Sequence, residues 1–233
     1  MPESKVGTAS KNQSRLRPST RLRSLLSKRP VRLFARFLIV IVTVLLVFGI
    51  FHNWILGEIG SFMAVRDAIE KSDLILVDDE QGHWNPFAAA NLYQQGFAPL
   101  VAVPRQRLSR IEELNITEHK EELCRQVLQS RGVPADKIIF LGQDLKDDVD
   151  LGRALGEYAK SQNLKSVIVA TTPAMSRLSR SDLRRGLGSQ SLTLRMYPVR
   201  TRYFDEHNWW HVRQGWVTFF DAYYIWILHS LAR

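Results

Sequence analysis

The sequence predicts an α/β protein in which one transmembrane helix precedes a three-layer, doubly wound, mostly parallel sheet. Two observations predict this fold class. A long apolar run follows a basic N-terminal segment, and beyond it short continuous apolar runs alternate with segments of helical periodicity. The 233 residues include one cysteine, which excludes an intrachain disulfide and multi-cysteine zinc sites. The α/β domain must therefore be stabilised by a hydrophobic core.

Residues 1–36 form a basic segment with ten Lys or Arg residues and the single acid Glu3, a balance of +9 that equals the net charge of the whole chain. Such a polar segment cannot bury a core, so we predict a disordered cytoplasmic tail that lies against anionic lipid headgroups. It has no aromatic residue before Phe34. Nucleic acid is therefore not expected as a partner.

Residues 37–56 are predicted to form a transmembrane signal-anchor helix. Residues 37–51 carry no charge, and thirteen of these fifteen are Phe, Leu, Ile or Val, which contribute about −4 to −8 kcal/mol toward insertion. Twenty helical residues rise ~30 Å, the thickness of a bilayer core. The basic flank indicates a single-pass topology with a cytoplasmic N-terminus and an extracytoplasmic C-terminal domain. A buried core helix, a cleaved signal peptide and an organelle transit peptide are the alternatives.

After a linker at residues 57–69, residues 70–233 are predicted to form the α/β domain. Five apolar runs read as strands, at residues 73–77, 100–103, 137–141, 166–170 and 191–199. Four segments between them read as helices, at residues 86–95, 117–131, 148–162 and 179–187. Gly96, Gly132 and Asn163 follow three of these helices, where a residue of positive φ is expected. Strands that alternate with such helices imply right-handed crossovers.

Two further features lie inside this domain. Cys124 falls among apolar residues at helical spacing, so we predict a packed thiol rather than a nucleophile. Near the C-terminus, four of the six tryptophans fall within eighteen residues. We interpret this segment as an aromatic helix that covers one face of the sheet. Contact with the membrane interface and a second span over residues 216–231 are the alternatives.

Candidate site residues follow the first strand, because ligands of doubly wound folds bind beyond the carboxyl ends of the strands. Asp78, Asp79 and His83 are the candidate catalytic residues, and Asn85 is a candidate ligand-binding residue. Their oxygens and imidazole nitrogen could bind a hard divalent cation, although the sequence identifies no metal and no cofactor. The alternative is a solvated acidic loop in which Asn85 caps the helix that begins at Pro86.

Further candidate ligand-binding residues follow the third and fourth strands. Asp147 and Asp148 stand in the first turn of a helix, where carboxylates complement the helix dipole without any catalytic role. Asp148 also begins an Asp-x-Asp pattern of the kind found in metal-dependent glycosyltransferases. After the fourth strand, Thr171, Thr172 and Arg177 provide hydroxyls and a guanidinium near a helix start, which predicts an anion pocket.

The order of these elements resembles that of the YdcF/SanA/ElyC-like family. The resemblance covers about residues 70–230 and rests on a strand and its loop, an A-x-x-L-Y-x-x-G element, a G-V-P element and a V-x-x-T-T element, at residues 73–79, 89–96, 132–138 and 169–172. It implies a Rossmann-like domain, often tethered to a bacterial inner membrane and associated with envelope polymer or lipid-carrier metabolism.

The chain departs from this family at most polar signature positions. The expected glycine-rich loop is replaced by an acidic one that begins at Asp78, and the expected Ser-Gly-Gly is replaced by residues 104–106. Met175 stands in place of a histidine and can neither transfer a proton nor bind a hard metal. Arg177 lies one position before the usual arginine. Fold therefore carries over better than catalytic residues do.

The sequence thus predicts a protein anchored in the inner membrane that binds or processes a phosphate-bearing envelope precursor. The alternative is a non-catalytic envelope scaffold or binding module that has lost the polar site residues of the family.

Overall fold

The computed structural model of the chain describes residues 21–78 and 84–231, and it describes side chains from residue 33 onward. The chain divides into two compact units, Met1–His52 and Asn53–Arg233. The first unit contains most of helix α1 (Arg21–Met63). The second contains the last turns of α1 and the whole α/β domain.

Helix α1 contains the apolar stretch Leu33–Met63, whose best window has a mean hydropathy of 2.8 and is not buried by other parts of the protein. Among the described residues, it is the one helix long and apolar enough to cross a membrane. The helix begins at Arg21, within the segment for which the sequence predicts disorder, and continues past residue 56 into the predicted linker. Its last turns continue because they pack on the α/β domain, where Met63 is fully buried.

The sheet has five parallel strands in the order β3-β2-β1-β4-β5. These are β1 (Leu74–Val77), β2 (Val101–Gln106), β3 (Ile138–Leu145), β4 (Ser166–Thr171) and β5 (Thr193–Pro198). In the central strand, Ile75 pairs with Val101 of β2 on one side and with Ile168 of β4 on the other. All four residues of β1 are buried, as expected for a strand covered on both faces. From β1 the chain adds β2 and β3 on one side of the sheet, and then β4 and β5 on the other side. The boundary between β1 and β4 is therefore the topological switch point.

The remaining helices are α2 (Asn85–Gln94), α3 (Arg110–Glu113), α4 (Lys120–Ser130), α5 (Asp148–Gln162), α6 (Ser176–Leu187) and α7 (Arg213–Leu231). The four predicted helices correspond to α2, α4, α5 and α6. Gly96, Gly132 and Asn163 have the predicted positive φ. Sequence reasoning missed the short helix α3, which a capping box between Ser109 and Glu112 stabilises.

Two hydrophobic clusters show that helices cover both faces of the sheet. Helices α2 and α4 pack on one face, and the buried Cys124 belongs to this cluster, as predicted. Helices α5 and α6 pack on the other face. The chain is therefore a three-layer, doubly wound α/β protein with an apolar helix before it, and the predicted fold class is confirmed.

The aromatic C-terminal helix does not cover a face of the sheet, which corrects our interpretation of the sequence. Residues of α7 belong to a third cluster with Met63 of α1, Met175 and Leu178 near the start of α6, and Trp209. The reason is that α2, α4, α5 and α6 already occupy both faces. Helix α7 instead closes the space between α6 and the end of α1.

The segment that follows α1 protects the exposed edge of the sheet beside β5. The Asp67 amide donates to the carbonyl of Met196 at 3.1 Å, and the Asp67 carboxylate accepts from the Met196 amide at 2.8 Å. Glu70 forms an ion pair with Arg195. The linker therefore satisfies backbone groups that an open edge strand would expose to other chains.

Candidate functional site

Asp78 lies where β1 ends at the topological switch point. Its amide donates to the carbonyl of Ala170 on β4 at 2.9 Å, which extends the pairing of β1 with β4 by one residue. The side chain is buried, with 3% of the residue exposed, and one carboxylate oxygen accepts a 2.7 Å hydrogen bond from the Ser179 hydroxyl on α6. The carboxylate is therefore directed at a helix that covers the sheet.

Asn85 connects the start of α2 to the end of β1. Its side-chain amide donates to the carbonyl of Asp78, and the residue is 1% exposed. The helix begins at Asn85, and the N-cap residue is Trp84, so Asn85 does not act as the cap that the sequence indicated. The Asn85 Oδ1 atom is buried without a hydrogen-bond partner among the described groups. Asn85 thus fixes the entry of α2 and leaves one acceptor available.

Thr171 and Thr172 lie across the switch point, at the end of β4, and both are buried. The Thr171 carbonyl accepts from the Val199 amide at 2.7 Å, and the Thr172 carbonyl accepts from the amides of Met175 and Ser176 at 3.2 and 3.0 Å. The Thr172 hydroxyl oxygen is buried, and within the described part of the chain it has no partner. The switch point therefore carries two buried polar atoms, Thr172 Oγ1 and Asn85 Oδ1, that remain to be satisfied.

Asp79 and His83, the other two candidate catalytic residues, lie outside the described residues. Within residues 33–78 and 84–231, no group of three or more His, Cys, Asp or Glu side chains could hold a metal ion. The prediction that Asp78, Asp79 and His83 act together stays a prediction.

The carboxylates that follow β3 serve the start of α5. Asp147 is the N-cap and accepts from the Asp150 amide at 2.9 Å, while Asp148 is buried. The Asp150 carboxylate accepts from the Lys146 amide at 3.3 Å and from Arg153 at 2.8 Å, and these hydrogen bonds, the former foremost, lower the pKa of Asp150. Because β2 lies between β3 and β1, these residues are separated from Asp78 by the width of one intervening strand.

Arg177 points to the end of α1 and away from the end of β4. Its Nε–H donates to the carbonyl of Phe62, and the guanidinium carbon lies 4.0 Å from the centre of the Phe62 ring. Arg177 lines a cavity of about 640 Å³ with Arg184, Trp226 and other residues of α6 and α7. None of Asp78, Asn85, Thr171 and Thr172 lines this cavity, so the structure does not bring Arg177 together with them.

A groove of about 690 Å³ lies between α2 and the end of β5, and sequence reasoning missed it. Three arginines and three aromatic side chains line it, joined by four smaller residues: Arg66, Arg131 and Arg200; Trp84, Phe87 and Tyr197; and Ala88, Asn91, Pro198 and Val199. The groove exists because β5 is the last strand of the sheet and no helix follows it on the side of α2. The 2.7 Å hydrogen bond between Val199 and Thr171 joins its floor to the switch point.

The guanidinium groups give this groove a basic character. Arg66 pairs with Glu206 at 3.0 Å, and the guanidinium carbon of Arg131 lies 4.9 Å from the centre of the Phe87 ring. The Arg200 Nε atom is 3.9 Å from an Asp205 oxygen, and 64% of the Arg200 side chain is exposed. No carboxylate is among the described residues that line the groove. The arrangement therefore favours an anionic ligand.

No local sequence pattern indicates the groove, because its arginines come from three distant segments. Arg66 belongs to the linker, Arg131 follows α4, and Arg200 follows β5. Only the pairing of β5 with β4 and the packing of α2 on the sheet bring these segments together.

A smaller cavity of about 510 Å³ lies between strands β2 and β3 and the start of α4. It is lined by Arg105, Phe140 and His119, and also by three glutamates, Glu118, Glu121 and Glu122. Because carboxylates outnumber the arginine, this cavity suits a phosphate less well than the groove does.

The sequence matches no protein-family model, and no curated protein is significantly similar to it. The resemblance to the YdcF/SanA/ElyC-like family therefore stays a prediction from its motifs.

Proposed function

We propose that this protein is a single-pass, membrane-anchored α/β domain that binds a phosphate-bearing precursor of the cell envelope in the groove between α2 and β5. The observation that carries the proposal is the convergence of Arg66, Arg131 and Arg200 with Trp84, Phe87 and Tyr197 around one concave surface.

The arginines account for recognition of phosphate. A guanidinium is always charged and offers a planar set of donors that matches two phosphate oxygens. Arg200 lies 3.9 Å from an Asp205 oxygen and Arg131 rests on the Phe87 ring, contacts that each can exchange for a ligand, whereas Glu206 holds Arg66 at 3.0 Å. Arg66 thus provides a fixed charge, and the other two provide adjustable donors.

The aromatic residues account for recognition of the rest of the ligand. Trp84, Phe87 and Tyr197 offer flat apolar surfaces against which a sugar ring, a nucleobase or an isoprenoid chain can pack. The Asn91 amide adds a donor and an acceptor on the wall formed by α2. A phosphate joined to an apolar or cyclic group therefore fits the groove better than inorganic phosphate does.

The cellular setting follows from the N-terminal sequence and the family resemblance. The basic tail before α1 supports a cytoplasmic N-terminus and an extracytoplasmic domain. The resemblance to the YdcF/SanA/ElyC-like family supports an inner membrane and an envelope precursor. Polyprenyl phosphates and nucleotide sugars are the chemical classes that combine phosphate with such groups.

Binding, and not a reaction, is the activity that the described geometry supports. The Asp78 carboxylate accepts a hydrogen bond from Ser179 that holds α6, and Arg177 is held against Phe62. A catalytic role would require Asp79 and His83, which precede Trp84 in the sequence.

The test is equilibrium binding to full-length protein in nanodiscs, with a short-chain polyprenyl phosphate, a nucleotide sugar and inorganic phosphate as probes. We expect one of the two organic phosphates to bind best. Arg131→Ala and Arg200→Ala should each weaken that binding by about tenfold, because a hydrogen bond to a charged group contributes about 1.5–3 kcal/mol.

Arg107→Ala is the matched control, since Arg107 is also exposed and also lies near an acid, Asp144 at 3.7 Å, but follows β2. It should bind as the unchanged protein does. Equal losses for Arg107→Ala and Arg200→Ala would mean that net charge alone attracts the probe, and absence of binding by either organic phosphate would refute the proposal.

The second candidate is a non-catalytic scaffold without a ligand. It is favoured by the internal hydrogen bonds of Asp78, Asn85 and Arg177, each of which holds one element to another, and by the role of Asp147 as the N-cap of α5. In a deletion strain, the scaffold hypothesis expects Arg131→Ala and Arg200→Ala to restore function fully. Failure of these folded variants to complement would exclude it.

A further inference from the structure

The outward face of α7 carries a continuous apolar stripe. Seven large hydrophobic side chains of this helix are exposed: Trp216, Val217, Phe220, Tyr224, Ile227, Leu228 and Leu231. Their spacing follows the turns of an α-helix, so they lie on one face. Fractional exposures run from 38% for Trp216 to 79% for Leu231. A stripe of this length on one helix marks an interaction surface.

The opposite face of α7 is fixed in the domain. Phe219 and Ala222 are fully buried, and Gly215 lies against the backbone of Trp209 so closely that a Cβ there would overlap the Trp209 carbonyl oxygen. Helix α7 is also absent from the candidate membrane spans among the described residues. One face of the helix is therefore held in the domain. Trp216 and Phe220, at the start of the stripe, also contact Trp209, and the rest of the stripe faces outward.

The edge of α7 next to this stripe contacts the last turns of α1. The Phe62 ring stacks on Tyr223 with centroids 6.1 Å apart and meets Trp226 edge-on at 5.1 Å. The Tyr223 hydroxyl donates to the carbonyl of Ile59. Ile59 and Phe62 are themselves 37% and 40% exposed. The apolar surface of α7 is thus continuous with that of Ile59 and Phe62 in the last turns of α1, which belong to the same compact unit.

The length of the apolar helix places these contacts near the membrane surface. Leu33–Met63 contains 31 residues. At 1.5 Å per residue it rises ~46 Å, whereas the hydrocarbon core is ~30 Å thick. If residues 37–56 occupy the core, Ile59 and Phe62 stand at the level of the lipid headgroups, and α7 meets α1 at that level.

We propose that α7 lies in the plane of the membrane interface, with its stripe inserted among the lipids beside the end of α1. Aromatic side chains such as Tyr224 favour this region, where the ring is in contact with lipid and the hydroxyl with water. The indole N–H of Trp216 is already satisfied by the Trp210 carbonyl at 2.7 Å, so this ring too can enter lipid without leaving a donor unpaired. The continuity of the stripe with α1 selects the bilayer over a protein partner, because an exposed face held at headgroup level contacts lipid first.

The test measures the surroundings of single positions in full-length protein reconstituted at one chain per nanodisc. The background is Cys124→Ala, which removes the buried thiol. A fluorescent NBD label is attached at Phe220→Cys or, in a second protein, at Tyr224→Cys. Quenching by doxyl-labelled lipid and by aqueous iodide is then compared. Trp54→Cys on α1 serves as the lipid-exposed control, and Lys160→Cys at the exposed end of α5 serves as the water-exposed control.

We expect labels at positions 220 and 224 to be quenched by doxyl lipid as the label at position 54 is, and to be protected from iodide. If the labels at both positions were quenched by iodide and not by doxyl lipid, as the label at position 160 should be, the proposal would be overturned. Protection from iodide without doxyl quenching would also overturn it, because protein would then cover the stripe. Two labelled positions guard against one that disturbs folding, and the outcome does not depend on ligand binding in the groove.

Discussion

Asp78 and Ser179 form a buried hydrogen bond that joins the end of β1 to α6 over 2.7 Å. A carboxylate at this depth is stable only while donors satisfy its oxygens. This hydrogen bond directs one carboxylate oxygen of Asp78, at the switch point of the sheet, toward α6. The Asp78 carboxylate thus helps to hold α6 on the sheet.

Ser179→Ala should lower the free energy of unfolding by about 1–3 kcal/mol, because one buried carboxylate oxygen loses its hydroxyl donor. Denaturant unfolding followed by tryptophan fluorescence measures the change. Ser161→Ala is the control, since the Ser161 hydroxyl is exposed and bonds only near neighbours on its own helix, the Tyr158 carbonyl and the Gln162 side chain. If both variants had the same free energy of unfolding, the hydrogen bond between Ser179 and Asp78 would not contribute measurably to stability.

Asp73 makes the free energy of unfolding of the domain depend on pH in the acidic range. Its carboxylate accepts from the amides of Lys165 and Ser166 at 2.7 and 2.9 Å, and these bonds, foremost the one from Lys165, lower the pKa of Asp73 in the folded state. A lowered pKa means that the stabilisation is present above the unfolded-state pKa and is lost as the pH falls through the folded-state pKa.

Asp73→Asn should therefore reduce the loss of stability between about pH 5 and pH 3, the range in which an unperturbed aspartate begins to protonate. Near neutral pH the variant should be less stable than the unchanged protein, and the two should converge in acid. Unfolding curves measured across this range provide the check. Parallel pH profiles would show that Asp73 is not responsible.

At the scale of elements, α5 and α6 approach each other closely at two glycines. A Cβ on Gly152 would lie 2.9 Å from the Leu183 Cα, and a Cβ on Gly186 would lie 2.8 Å from the Gly152 Cα. Backbone on both sides cannot move away without separating the helices. Side chains at these positions would therefore disturb the layer that covers one face of the sheet.

Gly152→Ala should destabilise the protein by about 1–3 kcal/mol through overpacking. Gly156→Ala, one turn further along α5, is the matched comparison because its Cβ would meet only the side chain of Gln190, which can rotate away. That change should be neutral or stabilise by up to about 1 kcal/mol, since alanine favours a helix more than glycine does. Midpoints of thermal unfolding would rank the two, and the reverse order would contradict this account of the interface.

The periodic elements were predictable because their signals are local. The helix over residues 148–162 has the predicted bounds, since Asp147 caps it and Asn163 ends it with a positive φ of 54°. The cap at Asn85 was predicted wrongly because Asn85 lies inside the first turn of α2, where its side-chain N–H bonds the carbonyl of Asp78, a contact that only the fold provides. Local preference specifies an element, and tertiary contacts then move its ends.

At the scale of the whole molecule, the charge asymmetry of the N-terminal segment predicts its orientation. An alkaline phosphatase fused after Arg233 should be active, and green fluorescent protein at the same position should be dark, because the positive flank of α1 is retained in the cytoplasm. The pair of fusions expressed in a bacterium measures this directly. An inactive phosphatase with a bright fluorescent fusion would place the domain in the cytoplasm and remove the basis for an envelope ligand.

Sequence alone was enough to predict the apolar helix, the alternation of strands and helices and the buried thiol of Cys124, because each depends on periodicity or composition along a continuous segment. The strand order, the separation of Arg177 from Asp78, the groove formed by Arg66, Arg131 and Arg200, and the stripe of α7 left uncovered were decided only by the tertiary structure. The physical reason is that such sites join residues far apart in the chain. Their positions depend on which strands pair and which faces of the sheet the helices already cover.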